Sequence, residues 1–295
     1  MKILFATDGS ESATLAQRLI ASITWPEGTQ IQVLHVIQDA VASLGISPSL
    51  SYAASFEELR HSLDGELAEA KRALSGPGRT VETKVTIGRP ASAIVDEARG
   101  MSADVIGIGS HGRGAVASAL IGSVAAEVVD HAPCPVLVAH AEKVTGIVLT
   151  HDGSAGAAQA EAVLVAFEFL HGLPVRVVSA WDVTPAYVGS DPTGGTFLSG
   201  DIYTQLMEDA RRYSTTVARE AAARLSQAGL KATAQVIEAS PTEGIVASAA
   251  RTDLIVMGTR GRTGLARLLL GSVARGVLHR ARSSVLFVPQ TAPRR

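Results

Sequence analysis

Short, almost continuous apolar runs alternate along this chain with longer stretches in which apolar residues recur at helical spacing. Runs such as Val136-Leu137-Val138 and Val285-Leu286-Phe287-Val288 show no inside–outside alternation, the pattern of strands covered on both faces in a parallel sheet. On that basis the first part of the chain holds strands near 2–7, 31–37, 80–87, 104–108 and 135–139, with helices near 11–23, 55–75, 91–99 and 122–131. The second part holds strands near 146–151, 175–181, 231–238, 253–257 and 284–288, with helices near 154–171, 201–228, 241–250 and 271–281. Strands alternating with helices predict right-handed crossovers that place helices on both sides of a doubly wound sheet.

The chain also repeats itself. Ile3-Leu4-Phe5-Ala6-Thr7-Asp8-Gly9-Ser10 answers to Ile147-Val148-Leu149-Thr150-His151-Asp152-Gly153-Ser154. Asp104-Val105-Ile106-Gly107-Ile108-Gly109 answers to Asp253-Leu254-Ile255-Val256-Met257-Gly258, and Pro90, Ile94 and Val95 answer to Pro241, Ile245 and Val246. A repeat this long is a duplicated domain and not a solenoid unit; the extra residues of the second copy fall mainly between Thr184 and Gly200. The expected fold class is α/β: two tandem doubly wound domains, residues 1–140 and 146–290, each a five-stranded parallel sheet of order 3-2-1-4-5 with helices on both faces. The join from Ala141 to Gly146 is too short for an independent linker, so the two domains should pack together.

Composition narrows the class further. Apolar residues make up 46% of the chain and charged residues 18%, with a net charge of −2, values of a globular and not a disordered protein. Lys and Arg are scattered, so nucleic acid is not an expected partner. No run of about 18 apolar residues occurs and the amino terminus lacks a signal peptide's apolar segment, so a cytoplasmic protein without a membrane partner is expected. Cys134 is the one cysteine. The repeat puts Ser283 at its place, which points to a buried, inert thiol.

Chemistry enters after the fourth strand of each half. There the chain reads Gly109-Ser110-His111-Gly112, nine residues, then Gly122-Ser123; the second copy reads Gly258-Thr259-Arg260-Gly261, nine residues, then Gly271-Ser272. Glycines allow positive φ and let backbone N–H groups approach an anion. A helix that begins at Gly-Ser adds amide groups and the positive end of its dipole. The arrangement reads as a phosphate cradle; a plain strand-to-helix turn with a serine cap is the blander alternative, weakened by the identical spacing of two copies. Asp8 and Asp152 follow the first strand of each half and would face the cradle across the topological switch point. They read either as helix caps or, if Ser10 and Ser154 do the capping, as carboxylates turned to a ligand. Gly107 to Gly112 also fits G-x-G-x-x-G, but that stretch follows a fourth strand and Val256 replaces Gly107 in the second copy, so a dinucleotide fingerprint is rejected.

With G-x2-G-x9-G-[ST] in both halves, two Asp-Gly-Ser turns and this order of elements, the chain resembles the ATP-binding branch of the universal stress protein family over nearly its whole length. The resemblance implies one ATP in each half. In the first, Ala6, Thr7 and Asp8 would line one wall, Val36 would lie near the adenine, and Ile108, Gly109, Gly112, Gly122, Ser123 and Val124 would hold ribose and phosphates. In the second, the matching residues are Thr150, His151, Asp152, Ala180, Met257, Gly258, Gly261, Gly271, Ser272 and Val273. His151 departs from the small or β-branched residue usual there and is expected to perturb base or ribose packing. Arg113, Arg260 and Arg262 lie in or beside the cradles and read either as phosphate contacts or as solvated loop charges; His111 stands in the place of Arg260. Mg²⁺ or Mn²⁺ is expected on the phosphates, with no dedicated protein cage. Loops near 39–54 and 183–200 could fold over the nucleotide. The resemblance further implies an internal pseudo-twofold dimer through the fifth strands, Val136 to Ala139 and Val285 to Val288, and leaves a homodimer of chains open; no protein partner is indicated. No nucleophile or base stands out, so the functional expectation is an ATP-binding stress-response module with at most slow hydrolysis. An ATP-using hydrolase or nucleotidyl transferase is the alternative.

Overall fold

The computed structural model describes residues 1–38, 50–112, 121–182, 200–261 and 270–290. The first half runs β1 (Lys2–Thr7), α1 (Glu11–Ser22), β2 (Thr29–Gln38), α2 (Leu50–Leu74), β3 (Arg79–Gly88), α3 (Pro90–Met101), β4 (Val105–Gly109), α4 (Ser123–His131) and β5 (Val136–Ala139). The second repeats it with β6 (Gly146–Thr150), α5 (Ala155–Ala166), β7 (Pro174–Trp181), α6 (Gly200–Gln227), β8 (Lys231–Glu238), α7 (Pro241–Ser248), β9 (Asp253–Gly258), α8 (Ser272–Arg280) and β10 (Ser284–Val288). The strands form one ten-stranded sheet of order β3-β2-β1-β4-β5-β10-β9-β6-β7-β8, so each half has the expected order 3-2-1-4-5.

Strand parity builds two cores, one on each face. Ile3 and Phe5 of β1 pack with Leu19 and Ile20 of α1 and Leu74 of α2, and Ile147 and Leu149 of β6 join the same layer with α5 and α6. Leu4 and Ala6 point the other way, to Ile94 of α3 and Val128 of α4, and Val148 does so with Ile245 of α7 and Val277 of α8. Ile3, Leu4, Phe5, Ile147, Val148 and Leu149 are fully buried, each contributing about 1.5–3 kcal/mol of side-chain burial. Outer strand β3 is different: Glu82, Thr83 and Lys84 are exposed, charged and polar groups that discourage pairing with another chain at the sheet edge.

The halves meet through their fifth strands. β5 and β10 pair antiparallel, Val138 opposite Val285, Leu137 opposite Leu286 and Val136 opposite Phe287, which turns two apolar edges into sheet interior. Ser284 Oγ accepts from His140 N at 3.1 Å and Ala141 N at 3.2 Å, so the end of β5 is fastened by a side chain of the other half. A second contact was not foreseen. α5 stops at Ala166, short of the expected end near 171, because Phe167 leaves helical geometry (φ −91°, ψ 68°). That break lets Phe167 and Phe169 stack at 5.2 Å and brings Phe169 within 4.6 Å of Trp25 from the first half.

Candidate functional site

Because β2 and β4 leave β1 in opposite directions, the loops at the carboxyl ends of β1 and β4 diverge over a crevice, and β6 and β9 repeat the arrangement. The β1 turn is built by short-range bonds. Thr7 Oγ1 accepts from Gly9 N at 3.1 Å, Asp8 Oδ1 accepts from Ser10 N at 3.1 Å, and Ser10 Oγ caps α1 by accepting from Ala13 N at 3.2 Å. Gly9 takes φ 70° and Gly153 φ 83°, a conformation that costs a residue with a Cβ more than glycine. Serine therefore performs the capping in both halves, since Ser154 Oγ likewise accepts from Ala157 N at 3.2 Å and Asp152 Oδ1 from Ser154 N at 3.0 Å.

The glycine loop closes the opposite side. A Cβ on Gly112 would stand 2.7 Å from Asp8 Oδ2, and one on Gly261 would stand 3.0 Å from Asp152 Oδ2; the two loops thus meet across the crevice. Gly122 N donates to Ser110 O and Gly271 N to Thr259 O, both at 2.7 Å, so these amides close the cradle and are not among those left for an anion. A Cβ on Gly122 would lie 3.3 Å from His111 Cα, and one on Gly271 3.3 Å from Thr259 O. At both glycines a side chain would crowd the loop's own backbone. Among the described residues no side chain caps α4 or α8, and the positive ends of these helices lie at the crevice. Gly107 belongs to packing, for a Cβ there would stand 2.5 Å from Ile20 Cδ1.

The result is a cleft of about 550 Å³ in the first half and one of about 400 Å³ in the second. Ala6, Thr7, Asp8, Val36, Ile108, Gly109, Gly112, Gly122, Ser123 and Val124 all line the first. Thr150, His151, Asp152, Ala180, Met257, Gly258, Gly261, Gly271, Ser272 and Val273 all line the second, with Arg260. Arg113 and Arg262 lie outside the described residues, as do residues 39–49 and 183–199 of the two long loops. Sequence reasoning missed the apolar walls supplied by Leu34 and Ile94 in one cleft and Val178 and Ile245 in the other, and the polar His35 and Gln38. The alternation along β2 and β7 carried that signal. It also missed Ser12, which donates to His111 O and accepts from His111 N at 3.1 Å. Gly156 holds the equivalent place, and there the backbone of α5 comes against Gly258 and Arg260 directly.

His151 takes part in the turn that ends β6. Its Nδ1 accepts from Gly153 N at 3.2 Å, the task that the Thr7 hydroxyl performs in the first half, and its Nε2 stands 3.2 Å from Glu161 Oε2 on α5. Glu161 in turn receives Arg224 Nε and Nη2, each at 2.8 Å. Burial raises the Glu161 carboxyl, but the Arg224 hydrogen bonds, followed by His151, outweigh it and hold the group down to about 2. Among the described residues, no group of three or more His, Cys, Asp or Glu side chains is placed to hold a metal ion. No described helix is long and apolar enough to cross a membrane.

Residues 1–140 and 144–289 each match the universal stress protein family. The chain belongs to the universal stress protein family. A tandem universal stress protein of Mycobacterium tuberculosis is 26% identical over 302 residues, covering 98% of this chain and 97% of that protein. A shorter universal stress protein of Thermus aquaticus is 38% identical over 140 residues, 46% of this chain and 96% of its own length. The crystal structure of a universal stress protein from Archaeoglobus fulgidus superimposes with a TM-score of 0.66 over 98% of both chains at 19% identity, a likeness of fold. The duplicated cleft is thus set in a two-domain universal stress protein architecture.

Proposed function

We propose that this universal stress protein binds one ATP in each half and acts as a nucleotide-dependent regulatory module, not as a conventional enzyme. One observation carries the reading: two clefts at equivalent switch points, each closed by the same glycine loop and faced by an uncapped helix start. Their volumes fall in the range of small-ligand sites. Leu34, Val36 and Ile94 in one half, and Val178, Ala180 and Ile245 in the other, offer apolar walls to a flat base. The cradle amides and helix dipoles are suited to phosphate. Mg²⁺ or Mn²⁺ on the phosphates would neutralise their charge, and Asp8 and Asp152 are the carboxylates placed to share in holding it.

Hydrolysis requires a residue that orients water. Asp8 and Asp152 are the recurring carboxylates of the clefts, and each spends one oxygen on the amide of its own turn. Turnover should accordingly be slow, and the stress-response role would rest on a bound conformation read by partners. Equilibrium dialysis with labelled ATP, joined to a phosphate-release assay, tests this. Saturable binding with turnover far below about 1 per second supports the module; kinase-like turnover favours the enzyme reading, and no binding overturns both.

A further inference from the structure

The two clefts correspond along most of their walls but carry different side chains in the cradle loop itself. His111 lines the first cleft and Arg260, at the same position of the repeat, lines the second. His111 Nδ1 shares a hydrogen bond with Ser110 Oγ at 2.8 Å. Arg260 Nη1 donates to the Gln290 carboxamide at 3.2 Å, a contact that orients the guanidinium without neutralising it. A guanidinium offers five N–H donors in a planar fork that matches phosphate oxygens, whereas an imidazole has two ring nitrogens and Nδ1 of His111 is already engaged with Ser110.

The surroundings do not cancel this difference. Asp8 and Asp152 take matching positions beside Gly112 and Gly261. His140, near His111, is pushed down to about 4 by burial, then by His111 and Arg251, so it adds no positive charge; Pro289 is its counterpart. Along the sequence the imbalance has the same sign. From Gly258 to Ser272 the chain carries Arg260, Arg262 and Arg267 and no acid, against Arg113 alone from Gly109 to Ser123. Arg113, Arg262 and Arg267 lie outside the described residues; Arg260 is a described residue that lines the second cleft where His111 lines the first.

Resting on the ATP reading above, we propose that Arg260 makes the second cleft selective for nucleotides with terminal phosphates, while His111 leaves the first nearly indifferent to phosphate number. The base and ribose meet similar walls in both halves. A guanidinium at the cradle rim gains paired hydrogen bonds to phosphate oxygens from ATP, and AMP has no terminal phosphate to offer.

The test is calorimetric titration of the full chain with ATP and with AMP, using wild type, R260H and H111R. Both positions are partly exposed loop sites, and far-UV circular dichroism checks that the fold is kept. Wild type should show two classes of site, one with an ATP-over-AMP preference about tenfold greater than the other. R260H should lower that preference about tenfold, with the larger loss on ATP, and H111R should raise the preference of the other class. Equal preferences in the two classes, or a preference that survives R260H, overturn the inference and leave the ATP reading standing. Failure of wild type to bind either nucleotide overturns both.

Discussion

Replacing Glu161 by Gln removes the charge at the centre of an ionic cluster beside the cleft turn of the second half. Glu161 is 8% exposed, it receives two Arg224 hydrogen bonds of 2.8 Å, and its carboxyl is held at about 2 against an ordinary 4.5. That gap corresponds to roughly 3 kcal/mol at about 1.4 kcal/mol per pH unit. The Arg224 side chain is 49% exposed, so solvent screens the pair and an expected loss of about 1–2 kcal/mol is more appropriate. The sign follows from linkage. The folded value lies below the unfolded one, so the stabilisation is complete above 4.5 and is lost as pH falls toward the folded value. Glutamine cannot titrate, and the two proteins should therefore converge in acid. Urea unfolding followed by circular dichroism gives each stability by linear extrapolation. The difference between wild type and Glu161→Gln should be constant from about pH 7 to about pH 5 and shrink below that. A difference absent at neutral pH, or one that persists undiminished to about pH 3, refutes the assignment.

Phe169→Ala removes the ring that meets Trp25 across the two halves at 4.6 Å; for a partly buried ring the loss should be about 2 kcal/mol, read as a lower urea midpoint. A midpoint equal to wild type would show that the aromatic contact contributes nothing to docking. The Cys134 thiol is pushed up to about 12, by burial first and then by Asp104. It should react with a disulfide reagent at about pH 8 only when the protein is unfolded, and rapid labelling of the native protein would contradict its placement.

The sheet and the cradles were legible because two independent signals agreed. Continuous apolar runs required strands covered on both faces, and the duplication allowed each element of one half to be checked against the other. The resemblance likewise pointed to the union of Val136–Ala139 with Val285–Val288. Side-chain direction was harder to see. His151 lies two residues beyond Leu149 and shares its parity, which turns the ring toward α5 and Glu161; a residue type alone could not say that it would replace the Thr7 hydroxyl. The early end of α5 accompanies a contact of Phe169 with Trp25, residues far apart in sequence. Nor could glycine spacing reveal that a Cβ at Gly122 or Gly271 would come within 3.3 Å of the loop's own backbone.

Counting bound ATP in wild type, Gly122→Val, Gly271→Val and the double variant tests the central claim most directly. A valine Cβ at Gly122 would stand 3.3 Å from His111 Cα, and at Gly271 3.3 Å from Thr259 O. Each side chain would wedge its cradle open, while the ordinary extended φ of −82° and −68° leaves the backbone unstrained and the fold intact by far-UV circular dichroism. Titration should give two ATP per chain for wild type, one for each single variant, and none for the double variant. Two sites of unchanged affinity in both single variants would contradict the cradle assignment and the nucleotide-binding function built on it.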